Sequence, residues 1–174
     1  MTDKKFTPFP VLKTGRLTLR QLRRSDDQAI WALRSNEHVN HYLSRQPSQS
    51  LDDARNFIDT ITENVQRGTS IYWAIALRRA DNVIGTVCLF NFSENLSTAE
   101  LGYELLPDFQ GKGFMHEALA TVLHFGFQQV GLQTVEAYTH FENHRSTLVL
   151  EKLLFTKDSA ADENFTRFHL THSG

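Results

Sequence analysis

Glu100-Leu101-Gly102-Tyr103-Glu104-Leu105-Leu106-Pro107-Asp108-Phe109-Gln110-Gly111-Lys112-Gly113-Phe114-Met115 reads as a strand, a short glycine-bearing turn and the opening of a helix. The strand ends at Pro107-Asp108. Beyond the turn, Leu119, Val122, Leu123, Gly126, Phe127 and Val130 recur as one buried helical stripe, and Gly131 is placed to end it. Gly111 and Gly113 allow a ligand to approach the main chain without interference from a Cβ. The first amides of a helix have no internal acceptor and carry the positive end of its dipole. Such a turn suits a pyrophosphate.

Two familiar phosphate-binding patterns fail on residues. A P-loop needs glycine where Leu106 stands and a hydroxyl residue where Gly113 stands, and a dinucleotide fingerprint needs glycine at His116.

Outward from this segment the chain alternates strands and helices. Arg16-Leu17-Thr18-Leu19-Arg20 has the period of a half-buried strand, and Ser25-Asp26-Asp27 offers caps to a helix carrying Ile30, Trp31 and Leu33. Ser50 and Asp53 have the spacing of a capping box, ahead of a helical stripe of Ala54, Phe57, Ile58, Ile61 and Val65 that Gly68 stops. Ile71 to Leu77, Val83 to Phe92 and Thr98 to Leu106 read as an antiparallel meander, its first turn at Asp81-Asn82. Leu132 to Phe141 reads as a strand, Asn143 to about Leu153 as a helix, and Phe155 to Leu170 as one or two strands around a turn at Ser159 to Asn164. The expected fold is α+β: one domain over residues 1–174, with a mixed, mostly antiparallel twisted sheet of six or seven strands flanked by about four helices.

The turn resembles the acyl-CoA pyrophosphate loop of GNAT N-acetyltransferases, Gln/Arg-x-x-Gly-x-Gly/Ala, onto which Gln110, Gly113 and Met115 fall. Met115 departs from Gly/Ala but is typical of the branch resembling ribosomal-protein-alanine N-acetyltransferases. The likeness to that branch continues in Thr14-Gly15-Arg16-Leu17-Thr18-Leu19-Arg20, in Ala99-Glu100-Leu101-Gly102-Tyr103, and in Asn143-His144-Arg145-Ser146 followed by Leu150-Glu151-Lys152-Leu153. Leu154 stands where the branch has a glycine that caps the helix in the left-handed conformation, so a different helix end is expected.

The resemblance implies direct acetyl transfer from acetyl-CoA to a primary amine. The acceptor is the N-terminal α-amine of a protein, such as a ribosomal protein, or a small amine: an amino acid, a polyamine or an aminoglycoside. A CoA-binding module without catalysis is the remaining alternative. It also implies that the amides of Gln110, Gly111, Lys112, Gly113, Phe114 and Met115 hold the pyrophosphate. Leu105 and Leu106 pair by backbone with the pantetheine arm, an amide near Leu105 stabilises the oxyanion, and Asn143 bonds the arm. Ser146 is the candidate acid for the departing thiolate. Acetylation needs a neutral amine, and Glu100 and Glu104, an even number of residues apart on one strand and hence on one face, are candidate bases. Tyr103, on the opposite face, reads as packing. His38 to Gln49 should border the acceptor, with Tyr42, Phe90 and Phe92 as possible walls.

Bulk properties are those of an ordinary soluble globular protein. Eighteen Lys and Arg against twenty Asp and Glu give a net charge of −2, which argues against nucleic acid as the main partner. The basic pairs Lys4-Lys5, Arg23-Arg24 and Arg78-Arg79 read as solvated surface. Cys88, the single cysteine, lies in an apolar run and reads as a small buried hydrophobe. The eight histidines form no metal-ligand pattern, so no metal is expected. Met1 to Phe6 lacks the apolar core of a signal peptide and no stretch is long enough to span a bilayer. A cytoplasmic monomer or homodimer that does not engage a membrane is the expectation.

Overall fold

The computed structural model describes residues 6–43 and 45–172. The Lys4-Lys5 pair, the rest of the Met1 to Lys5 run, and Ser44 of the acceptor stretch lie outside the described residues. In chain order the elements are β1 (Leu12–Lys13), β2 (Leu17–Gln21), α1 (Asp27–Ser35), α2 (Glu37–Asn40), α3 (Leu51–Gln66), β3 (Ile71–Leu77), β4 (Val83–Phe90) and β5 (Thr98–Leu105). They continue with α4 (Phe114–Phe125), β6 (Thr134–His140), α5 (His144–Lys152), β7 (Thr156–Ala160) and β8 (Phe165–Thr171). Among the described residues the strands form one eight-stranded sheet in the order β1-β2-β3-β4-β5-β6-β8-β7. Every pairing is antiparallel except that of β5 with β6.

The sheet exceeds the expected six or seven strands because β1 is two residues long, too short to show a period, and pairs only with β2. The fifth helix, α2, is a single turn capped by Asn36 Oδ1, which accepts from the amides of His38 and Val39.

Both faces of the sheet are covered. Leu19, Trp73, Val87 and Leu101 pack under α4 (Ala118, Leu119, Val122) and α5 (Leu150). Tyr72 and Ala74 face the other way, onto Ile30 and Leu33 of α1 and Ala54 and Ile58 of α3. Period two along β3 therefore sorts residues between two cores, rather than between core and solvent. Trp31 stays outside, 41% exposed.

Asp26 stands at the N-cap position of α1, but its side chain makes no cap bond to that helix and accepts instead from the Arg23 amide at 2.7 Å. It is buried and receives a two-pronged ion pair from the buried Arg20, both contacts at 2.9 Å. The caps of α3 do follow the expected spacing, with one shift: Ser50 Oγ accepts from the Asp53 amide, while Asp53 Oδ2 reaches the amide of Gln49, one residue earlier than a capping box requires. At the end of α5, Leu154 adopts the left-handed conformation itself, with φ at 69°. The Leu154 amide bonds the Glu151 carbonyl and the Phe155 amide bonds Leu150, which is the pattern a glycine would make. The expected change of helix end is absent, because Leu150 and Phe155 are both in the core and hold the turn closed.

Candidate active site

The parallel ladder of β5 and β6 runs only from Thr98 opposite Thr134 to Leu101 opposite Ala137. β5 continues to Leu105 and β6 to His140, so the strands part and leave a gap. On its other edge β5 stays paired with β4, and the Leu106 amide donates to the Ile84 carbonyl at 2.9 Å. Alternation in an antiparallel ladder then turns the Leu105 amide away from β4, into the gap. The Leu105 carbonyl accepts from Gln110 Nε2 at 2.8 Å. Leu106 differs from expectation: its amide is held by Ile84 and its carbonyl accepts from Phe109, so it has no amide to offer a pantetheine arm.

Beyond Leu106 the chain turns through Gly111 and Gly113, with φ of 76° and 82°, values that L side chains adopt only under strain. Gly113 is the N-cap of α4 and contributes no side-chain acceptor, and the helix begins with the Glu117 amide bonding the Gly113 carbonyl at 3.1 Å. The preceding amides of the first turn are left open. Two guanidinium groups flank the turn: a Cβ added at Gly111 would lie 3.4 Å from Arg145, and one at Gly113 would lie 3.4 Å from Arg16. Arg16 bonds the Lys112 carbonyl at 3.0 Å and Glu117 at 2.9 Å, and lies 4.1 Å over the Phe114 ring. Burial alone would raise the Glu117 pKa, yet hydrogen bonds from Thr14 and Arg16 bring it below its ordinary value. Of the predicted loop residues, Gln110 braces Leu105, Phe114 lies under Arg16 and Met115 is buried in the core. What these residues leave for an anion is main chain and the exposed Lys112 ammonium, 6.0 Å from the Phe109 ring centre.

Across the gap, Asn143 Oδ1 accepts from the Ser146 amide at 3.3 Å and caps α5. Its carboxamide nitrogen is not used in that cap. Ser146 Oγ lies 2.6 Å from the Tyr103 hydroxyl. Tyr103 is thus more than packing: β5 aims it at the predicted acid. Burial pushes its phenol up to about 12, against a downward pull from the Ser146 bond, so it stays protonated near neutrality.

The opposite face of β5 separates the two candidate bases. Glu100 sits on the closed part of the ladder, opposite Glu136, and accepts from Asn91 at 2.8 Å. Glu104 sits where the strands have parted, its side chain only 10% exposed and its Oε2 2.7 Å from Arg45. Among the described residues its other oxygen, Oε1, is buried without a hydrogen-bond partner. Beside it, the Cys88 thiol is pushed up to about 12 by burial and then by the charge of Glu104, which leaves it inert as a nucleophile. Tyr42 packs on His140 at 5.0 Å, and Phe90 approaches Gly102, so both border this face. Phe92 does not; it packs on Phe6 at 5.4 Å in the other core. Sequence reasoning missed Arg45, Arg145 and the role of Tyr103. Arg45 and Arg145 lay inside segments already singled out, but no spacing rule points a side chain across a gap. Among the described residues, no three His, Cys, Asp or Glu side chains are placed to hold a metal ion. Among the described residues no helix is long and apolar enough to cross a membrane.

Comparison with known proteins follows the same outline. The family model for the acetyltransferase (GNAT) domain matches residues 16–156. The uncharacterized N-acetyltransferase YoaA of Bacillus subtilis is 33% identical over 150 residues, 86% of this chain and 85% of YoaA. Spermidine N(1)-acetyltransferase of Vibrio cholerae is 26% identical over 152 residues, 87% of this chain and 85% of its own. The crystal structure of the ribosomal-protein-S5-alanine acetyltransferase of Vibrio fischeri superposes with a TM-score of 0.82 at 20% identity, covering 93% of this chain and 96% of that one.

Proposed function

Because this chain belongs to the GNAT acetyltransferase family and is an N-acetyltransferase, we propose that it moves an acetyl group directly from acetyl-CoA to a primary α-amine, in the first instance the N-terminal amine of a protein. The observation that carries this reading is Glu104 Oε1, a buried carboxylate oxygen without a partner among the described residues, on the length of β5 beyond its last pairing with β6. Such an atom is costly unless something donates to it, and an incoming ammonium does.

Bound acetyl-CoA supplies the acetyl group as a thioester. The open amides of the Gly111 to Met115 turn hold its pyrophosphate, with Arg145 and Arg16 on either side. The Leu105 amide and the Asn143 carboxamide orient the arm. Glu104 takes a proton from the acceptor, with Arg45 fixing the carboxylate through Oε2. As the new C–N bond forms and the C–S bond breaks, Ser146 gives its proton to the sulfur. Tyr103, 2.6 Å away, replaces it, and the second proton shed by the nitrogen as it becomes an amide returns through solvent to the Tyr103 oxygen. Glu100, bonded to Asn91 on the closed ladder, is outside this path.

An α-amine titrates at about 7.7–8.0 and a lysine amine at about 10.4, so a single carboxylate is a sufficient base for the first. The likeness to a ribosomal-protein acetyltransferase supports a protein amine, and the spermidine relative supports the rival acceptor, a polyamine. Thiol release measured with an Ala- or Ser-starting peptide, free amino acids and spermidine decides between them. Turnover of the peptide is expected. CoA binding with no thiol release from any amine overturns the reading.

A further inference from the structure

The acceptor face holds more positive charge than its base can balance. Arg34, on α1, lays its guanidinium 3.8 Å over the Phe57 ring, and Phe57 in turn packs on Tyr72 at 5.9 Å. Among the described residues no carboxylate lies within ion-pair distance of it. Burial, and then the charge of Arg45, bring the Arg34 pKa below its ordinary value, while Glu104 acts the other way. Geometry puts them on one side of the sheet: Tyr72, under Phe57, lies opposite Cys88 on β4, and Cys88 lies opposite Gly102, two residues from Glu104 on β5. Arg45 is fixed to the same frame: its Nε donates to Asn40 at 2.8 Å, and Asn40 and the Ser48 amide both donate to the Arg34 carbonyl. Arg45 is thus on Glu104, and Arg34 stands beside the Arg45 frame on the same side of the sheet. Glu100, the other acid of this strand face, is bonded to Asn91 at the closed end.

We propose that Arg34, with Arg45 beside it, forms a carboxylate subsite next to Glu104, so that the amine acetylated here is carried by a molecule with an acidic group close to that amine. This rests on the reading of Glu104 as the residue that receives the amine. A bare ammonium entering the site would add a positive charge to an excess of positive charge. An acceptor with its own carboxylate instead sets anion on guanidinium and ammonium on Glu104, and so adds no net charge to the face. Arginine suits this role, because its planar fork binds a carboxylate through two hydrogen bonds. A polyamine, cationic throughout, is disfavoured by the same charges. The acid has two sources: the carboxylate of a free amino acid, or an Asp or Glu side chain at the start of a peptide.

The test uses matched acceptors that differ only in the acid: alanine against alaninamide, and an Asp-starting peptide against its Asn-starting twin, with spermidine alongside. Thiol release is compared as kcat/KM for the neutral amine, which removes differences in amine pKa. In one of the pairs the acid-bearing member should be preferred by about tenfold, the scale of a charge-assisted hydrogen bond. The pair that shows it identifies the source. Arg34→Gln should erase the preference by raising KM for the acid-bearing member, and Arg34→Lys should restore part of it. CoA affinity, measured by calorimetry, reports that each variant is folded. Equal or better turnover of the amides, or spermidine as the best acceptor, overturns the subsite and leaves amine acetylation standing. No turnover of any amine by protein that binds CoA removes both.

Discussion

The two faces of β5 hold sites made of different material. Toward α4 and α5, the predicted anion cradle is main chain, shaped by positive φ at Gly111 and Gly113 and by the open end of a helix. Toward α1 and α3, the proposed acceptor face is side chain: Glu104 from β5, Arg34 from α1 and Arg45 from the stretch after α2. A main-chain site is insensitive to most substitutions and fails when a side chain is added where none fits. A side-chain site fails when one group is removed.

That contrast can be broken in order of effect. Gly113→Glu puts a Cβ at φ 82°, 3.4 Å from Arg16, and a carboxylate into the cradle; CoA affinity by calorimetry should fall by more than about 100-fold, with the circular dichroism of the fold kept. Unchanged affinity would take the turn out of the site. Next, Glu104→Gln should lower kcat/KM by about 100-fold, the lower range for losing a general base, and most at low pH, where the acceptor is most protonated. Glu100→Gln should change it by less than about threefold, and equal losses from both would erase the distinction drawn between the closed and parted lengths of β5. A smaller effect belongs to Tyr103→Phe, which leaves Ser146 Oγ without its 2.6 Å partner. We expect kcat to drop by about tenfold with CoA affinity kept, and no limb of the rate profile between about pH 6 and pH 9 to come from a phenol pushed up to about 12. Last, Leu154→Gly touches neither face. Relief of the left-handed leucine, less the extra freedom of an unfolded glycine, should stabilise by about 0.5–1 kcal/mol, or about 1–4 °C in Tm, with activity unchanged.

The same contrast explains what the sequence made legible. The turn from Gln110 to Met115 was readable because glycine and helix-start signals are local, and so were the long elements α3, α4 and β3 to β6. β1 and α2 were missed because two residues or one turn carry no period. Asp26 looked like a cap because Asp before a helix usually is one; its partner, Arg20, is visible only once β2 is in place. Leu105 and Leu106 looked equivalent, and only the ladder to Ile84 shows which of the two turns its amide into the gap. Arg34, Arg45 and Tyr103 acquire meaning from neighbours far away in the chain, which no spacing encodes.

The parallel seam between β5 and β6 joins a leaf of five strands to a leaf of three by register from Thr98 to Leu101 alone. Whatever wedges between the leaves and takes up the spare Leu105 amide acts as mortar for both, and mass action then converts its occupancy into resistance to heat. The melting curve of this protein should therefore climb with the concentration of the nucleotide thioester, making a thermometer the simplest gauge of how full the seam is.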